Sequence, residues 1–379
     1  MKKRMLRFFL SALMIFAAAA AGAAPSAADK SAAPAAAEKT EAPSAENAAA
    51  TPAGAEGGAE ATVPEGEAPP PPPTPEEKLA AGLKHEKKGE YPEALIFFSD
   101  PDLQTNPVAQ RHLGAMYLKG QGVDKDCKQA IAWYDKAAAQ GDALAEFAFG
   151  DLYRQGICFQ KDTGEAIAWY EKAARHGEAA AWTRIGNIHM IGDGVVRDCR
   201  EAAFWFQKAA DKNEPEAQCH LGVLYLKGQG LRKNYDRARR LFEKGMAQKD
   251  ACAMSYMAVM YSGGLGVPED HEKSVVIAKE AAEKGYPAAQ MILGRACELG
   301  EGVSASPKDA LEWYIKAAKG GNIQAMERLA EVYRFGQLGE QKDEEKGRLW
   351  QMRADEMREQ QGIPKPSIVS RGISRMLVD

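Results

Sequence analysis

The sequence predicts an all-α protein built as a solenoid of helical hairpins. Three observations carry this expectation. A unit running from Asn106 to Gly141 recurs at a spacing of 36 residues, so that Leu113-Gly114-x-x-Tyr117 returns as Phe149-Gly150-x-x-Tyr153, Leu221-Gly222-x-x-Tyr225 and Leu293-Gly294. A second motif keeps the same spacing. Ala130-x-x-Trp133-Tyr134 returns as Ala166-x-x-Trp169-Tyr170, Ala202-x-x-Trp205-Phe206 and Ala310-x-x-Trp313-Tyr314. Finally, Asp126, Asp162, Asp198, Asn234, Asp270 and Ser306 recur in the same register without a slip. Self-similarity at a fixed period of roughly 20–50 residues marks a solenoid whose units contact mainly their neighbours.

The chain of 379 residues opens with a stretch unlike the rest. Lys2, Lys3, Arg4 and Arg7 form a basic start, residues 6–21 are apolar except for Arg7 and Ser11, and Ala21-Gly22-Ala23 fits a small-residue cleavage site. Residues 1–23 therefore read as a secretory signal peptide. An uncleaved anchor is the alternative, because the apolar run is near the shortest that spans a bilayer. Residues 24–75 are nearly all Ala, Pro, Glu, Gly and Ser and end in the prolines 69–73. Such a segment has no apolar face to bury and is expected to be a disordered linker, its proline run a stiff spacer. Residues 25–75 carry eight acids against two lysines. With the signal at +4 and the whole chain at −4, the remainder is −2, which gives no basic footprint for nucleic acid.

Each unit reads as a helix–turn–helix. Helix A is expected to start at the Asn, Asp or Glu after a Gly, as in Gly141-Asp142, Gly177-Glu178 and Gly321-Asn322, with Pro215 and Pro287 just inside the start in two copies. The A–B loop is Gly-x-Gly-Val, with Gly120/Gly122, Gly192/Gly194, Gly264/Gly266 and Gly300/Gly302. These glycines follow a helix and lack a third partner, so they fit turn geometry rather than a phosphate cradle. Helix B starts at the Asp/Asn/Ser series, a row of favoured N-caps, and carries an amphipathic stripe through Ala-x-x-Trp-Tyr and Lys-Ala-Ala.

On these residues the chain resembles the Sel1-like repeat family, a tetratricopeptide-type solenoid with a longer A–B loop. The resemblance covers residues 76–355 and implies a right-handed α-solenoid of about seven 36-residue repeats. Their helix A centres fall at Gly114, Gly150, Gly186, Gly222, Ala258, Gly294 and Ala330, and a degenerate unit at Gly89-x-Tyr91-x-x-Ala94-x-x-x-Phe98 precedes them. The copies depart from the pattern in places: Cys158 and Phe159 replace the loop Gly and Val of the second, and the fifth lacks the aromatic pair. Residues 356–379 break the repeat and form the expected C-terminal tail.

Relative to its central residue, helix A keeps positions −5, −1, 0 and +3 constant. The stripe at −6, −3, +1 and +4 varies, with Leu144, Phe147, Asp151 and Arg154 in the second repeat, Ala180, Thr183, Asn187 and Met190 in the third, and Ala288, Met291, Arg295 and Glu298 in the sixth. By resemblance to tetratricopeptide solenoids this stripe lines a concave groove for a protein or peptide partner. Phe147, Asp151, Arg154, Asn187, Met190, Met291 and Arg295 are its candidate contacts. Trp182, at −4, fits either an exposed hot spot or a packing residue.

Six cysteines in an exported chain can be disulfide-bonded, and there is no CxxC pattern for zinc or thioredoxin-like chemistry. Given the solenoid, helix A runs antiparallel to the preceding helix B, which sets Cys158 near Cys127. Cys219 and Cys252 both face the groove on neighbouring A helices and are a second, lesser candidate pair, and Cys199 and Cys297 have no evident partner. The pairing that staples each repeat in some secreted relatives is absent. His85-Glu86 and His271-Glu272 lack the second His of a zinc protease, and there is no G-x-S-x-G. No cofactor or metal motif is present. The expected protein is a non-catalytic scaffold or adaptor of the bacterial cell envelope, periplasmic or secreted. A binder of peptidoglycan or another cell-wall polymer, and less so a cell-wall or β-lactam hydrolase, are the alternatives.

Overall fold

The computed structural model describes residues 72–360. The expected signal segment and the linker up to residue 71 lie outside the described residues, as do residues 361–379. Sixteen α-helices follow one another, with no strand among the described residues. A leading pair, α1 (Pro75–Lys88) and α2 (Tyr91–Phe98), is followed by a short 3-10 turn at Pro101–Leu103. Seven hairpins then succeed each other: α3 (Pro107–Lys119) with α4 (Cys127–Ala139), α5 (Ala143–Gln155) with α6 (Thr163–Arg175), α7 (Ala179–Ile191) with α8 (Cys199–Asp211), and α9 (Pro215–Lys227) with α10 (Tyr235–Ala247). The last three are α11 (Ala251–Gly263) with α12 (His271–Glu283), α13 (Pro287–Leu299) with α14 (Pro307–Lys319), and α15 (Ile323–Phe335) with α16 (Glu344–Gln360). Odd-numbered helices are the A helices and even-numbered ones the B helices.

Capping explains where the helices begin. The side chains of Asp126, Asp162, Asp198, Asn234, Asp270 and Ser306 each accept a backbone N–H one turn into the following B helix. Asn106, Asp142, Glu178, Glu214, Asp250 and Asn322 do the same for A helices. At α13 the N-cap is Tyr286, which makes no such bond, and Pro287 alone marks the start.

Inside each hairpin the central glycine faces the second aromatic of the Trp-Tyr pair. A Cβ at Gly114, Gly150, Gly186, Gly222 or Gly294 would come within 2.5–3.0 Å of the ring of Tyr134, Tyr170, Phe206, Phe242 or Tyr314, respectively. Repeat five shows the converse. There the ring position holds Ala278, and the centre is Ala258 instead of glycine. The two positions exchange volume, as a close-packed core requires. The leading pair repeats the device, since a Cβ at Gly82 would lie 2.7 Å from Phe98. The helix A centre of the degenerate unit is therefore Gly82, which the sequence motif around Gly89 does not reveal.

The first aromatic of the pair does something else. Lys136, Lys172, Lys208, Lys316 and Arg353 lie over the rings of Trp133, Trp169, Trp205, Trp313 and Trp350 at 3.9, 4.7, 4.4, 4.1 and 4.9 Å. This is a cation–π pair at i, i+3 along each of these B helices. A buried polar row runs through the A helices at −4. Gln110, Glu146, Gln218 and Gln290 occupy it. Gln140 and Gln248, at the ends of the paired B helices, donate to Gln110 (2.8 Å) and Gln218 (3.1 Å), while Lys172 (3.1 Å) and His176 (2.8 Å) hold Glu146. Trp182 fills the same slot in repeat three and packs between the cores on both sides of it.

From repeat three to repeat six, successive A helices touch each other along the array, whereas no two B helices contact comparably. The A side is thus the tighter, inner side. The final helix runs five residues past the repeat boundary expected at 355, and Arg358 in its last turn is buried and bonded to Glu327 at 2.5 Å. Where the preceding B helix carries Leu311 and Ala318, α16 carries Arg348 and Asp355, so the end of the array is polar as a cap should be.

Candidate partner groove

Three of the seven candidate contacts come together in repeat two, and Asn187 adjoins them from repeat three. The Phe147 ring is half-buried, 5.4 Å from the Tyr170 ring, and the Arg184 guanidinium lies 5.7 Å over it. Asp151 accepts the Tyr170 hydroxyl at 2.6 Å and has Arg154 at 3.8 Å. Arg154 also lies 3.8 Å from Asp193, which Lys161 pairs at 2.6 Å. Asn187 donates to Glu216 at 3.1 Å, and Glu216 receives Arg184 at 3.2 Å and lies 3.5 Å from His220. The result is a continuous chain of aromatic and charged side chains across the inner face of α5, α7 and α9.

Its electrostatics are set by mutual compensation. Burial opposes ionisation of Glu216, but the bond and charge of His220, the Arg184 charge and the Asn187 amide outweigh it and hold the carboxyl at about 2. Burial raises the Tyr170 hydroxyl, and the Asp151 carboxylate that it bonds raises it further. Glu216 is therefore a fixed anion and Tyr170 a fixed donor near neutral pH.

The rest of the stripe is placed differently. Met190, 7% exposed, belongs to the core formed with Ala202, Ala203 and Phe206. Met291, 8% exposed, packs with Tyr314, Ala318 and Met326. Val223, Leu226 and Val259, in the same stripe of repeats four and five, are buried as well. The close approach of neighbouring A helices closes the stripe there, so it is not one open groove. Arg295 is half-buried beside Tyr314 and lies four repeats from Phe147. Its neighbour Glu298 accepts the Tyr314 hydroxyl at 2.6 Å and pairs with Arg328 at 3.2 Å.

Sequence reasoning missed Arg184, Glu216 and His220. A signal existed, because His112 and His220 share the −2 position, where Arg184 and Arg328 also fall. Each of these bases pairs with a carboxylate: His112 with Glu86 at 2.6 Å, Arg184 and His220 with Glu216, Arg328 with Glu298. The row thus carries ion pairs. His85 and His271 are taken up by Glu90 at 2.7 Å and Glu269 at 3.1 Å, in different units.

Two disulfides are present, Cys127–Cys158 with a Cα separation of 5.4 Å and Cys219–Cys252 with 6.0 Å. Cys158 occupies the place of the second loop glycine, which in other repeats sits against the first residues of the preceding B helix. There a Cβ at Gly122 would meet the backbone of Tyr91, and one at Gly230 the backbone of Cys199. Cys158 makes the same approach covalently and keeps the left-handed backbone, with φ 64°. The Asp250 carboxylate lies within 4.8 Å of the Cys219 and Cys252 sulfurs, but both sulfurs are committed to the disulfide. Cys199 and Cys297 are free thiols.

The Sel1 repeat pattern matches residues 107–142, 143–178, 179–214, 215–250, 253–286, 287–322 and 323–350. The fold is similar to that of a protective antigen of uropathogenic Escherichia coli, with 31% identity and a TM-score of 0.55, covering 74% of this chain and 61% of that one. A Sel1 repeat protein from Oxalobacter formigenes is 32% identical over 73% of this chain and 99% of its own, with a TM-score of 0.48. Chitin synthase regulatory factor 3 of Schizosaccharomyces pombe is 45% identical over 60 residues, which is 16% of this chain and only 6% of that protein. With seven consecutive matches over most of its length, this chain belongs to the Sel1 repeat family.

Proposed function

We propose that this protein is a non-catalytic scaffold of the cell envelope that holds a protein partner against the inner face of repeats two to four. Sel1 repeats are typically protein-interaction scaffolds. The observation that carries the site is the Phe147–Arg184–Glu216–Asn187 chain, where a half-buried ring and fixed charges lie side by side on the inner face. Interface hot spots are enriched in arginine and large aromatic side chains set in partly enclosed pockets, which Arg184 and the Phe147 ring resemble. The two disulfides accord with an oxidising, exported compartment. No helix among the described residues is long and apolar enough to cross a membrane. A cell-wall polymer would need an open ring to stack on, and Phe147 is flanked by Tyr170 and Arg184, so that alternative has less support.

The test is photo-crosslinking in intact cells from position 144, an exposed Leu beside Phe147. A single protein species is expected to be captured, and Phe147→Ala with Arg184→Ala is expected to abolish its capture. Capture that survives both substitutions would refute the site.

A further inference from the structure

The near-neutral total of the repeat region hides a local excess. Residues 227–249 carry eight cations, Lys227, Arg232, Lys233, Arg237, Arg239, Arg240, Lys244 and Lys249, against Asp236 and Glu243, a net +6 in a chain of total −4. Arg239 is spent on Glu243 at 2.6 Å, and Arg237 donates to the Tyr225 hydroxyl at 2.9 Å. Among the described residues Arg232, Lys233, Arg240 and Lys244 have no ion-pair partner, and all four are exposed.

The patch is not purely charged. Phe204, Arg240 and Val276 occupy one position of three successive B helices, α8, α10 and α12, on the outer side of the array. Phe204 is 51% exposed and Val276 69%, so a cation stands between two uncovered apolar side chains. Lys208 and Lys244 share a second position one helical turn on, and Lys208 lies 4.5 Å over the Phe204 ring. In repeat five that position holds Glu280, which pairs with Lys284, so the excess ends there.

We infer that this outer face of α8, α10 and α12 is a second docking surface, and that its occupant is an acidic, amphipathic protein segment. Unpaired cations select carboxylates by charge complementarity and speed their association. Phe204 and Val276 select a segment that also carries apolar side chains, because removing both from water rewards an apolar partner and not a simple polyanion. A nucleic acid fits less well, since one exposed ring offers no row of stacking platforms. The face lies on the B helices and does not share residues with the inner groove, so it stands or falls independently of that site.

The full chain is titrated with two fluorescent peptides of equal charge, each about 14 residues of glutamate with either leucine or serine at every fourth position, and with an oligothymidylate of similar length. The leucine peptide is expected to bind most tightly, and its affinity to fall as salt rises. Arg240→Glu with Lys244→Glu is expected to weaken it about tenfold or more. Phe204→Ser is expected to reduce it to the level of the serine peptide. All three positions are solvent-exposed, and circular dichroism checks that the variants fold. Equal binding of the two peptides, indifference to charge reversal, or tighter binding of the oligonucleotide would each overturn the inference.

Discussion

Gly150 and Tyr170 are packed so closely that a single methyl group between them would lie 2.5 Å from the ring. The repeated glycine and aromatic of this chain thus express a volume relation between two helices. Repeat five supplies the natural control, with alanine at both positions, 258 and 278.

Gly150→Ala is expected to destabilise the protein by about 1–3 kcal/mol through overpacking. In a Tyr170→Ala background the same change should cost far less. Urea unfolding of the double-mutant cycle measures the coupling. Independent costs would show that the glycine serves helix geometry and not the ring.

The two disulfides should differ in their response to reductant. Cys127 is exposed and Cys158 half-buried, whereas Cys219 and Cys252 are both buried between A helices. The left-handed backbone of Cys158 also stores about 1 kcal/mol that glycine would not. Under native conditions dithiothreitol is expected to release Cys127 and Cys158 first, read by alkylation and mass spectrometry. Cys219 and Cys252 should be labelled only on unfolding.

Glu216 makes stability depend on acid. Its folded carboxyl titrates at about 2, below the ordinary 4.5, so its contribution is present above pH 4.5 and lost as pH falls towards 2. The shift corresponds to at most about 3 kcal/mol. Glu216→Gln is expected to be less stable than the parent at pH 6 and to lose less on acidification. Parallel losses in the two proteins between pH 5 and pH 2 would refute the assignment.

Glu146 is fully buried in a slot where three other repeats carry glutamine. Glu146→Gln should therefore be tolerated within about 1 kcal/mol, because the amide can bond as Gln110 and Gln218 do. Glu146→Ala leaves Lys172 and His176 without their partner and opens a cavity, and is expected to cost about 2–4 kcal/mol in thermal or urea unfolding.

The sequence by itself determined everything that depends on a short stretch of chain. The period, the N-cap series from Asp126 to Ser306, the loop glycines and the aromatic pair are local requirements of a helical hairpin, and each is legible in one copy and repeated in the next. The same register arithmetic brought Cys127 towards Cys158. Tertiary structure alone decided which variable positions face solvent. Met190 and Met291 share the stripe of Phe147 and Asn187, yet they are buried, because the distance between neighbouring A helices is set by the packing of whole repeats and closes the inner face between repeats three and six. It also decided that His112, Arg184 and Arg328, at −2, would meet carboxylates from adjacent units, and that Phe204 and Val276 would be left exposed on either side of Arg240. Periodicity fixes the helix on which a residue sits and the side to which it points. Only the assembled array fixes what stands opposite it.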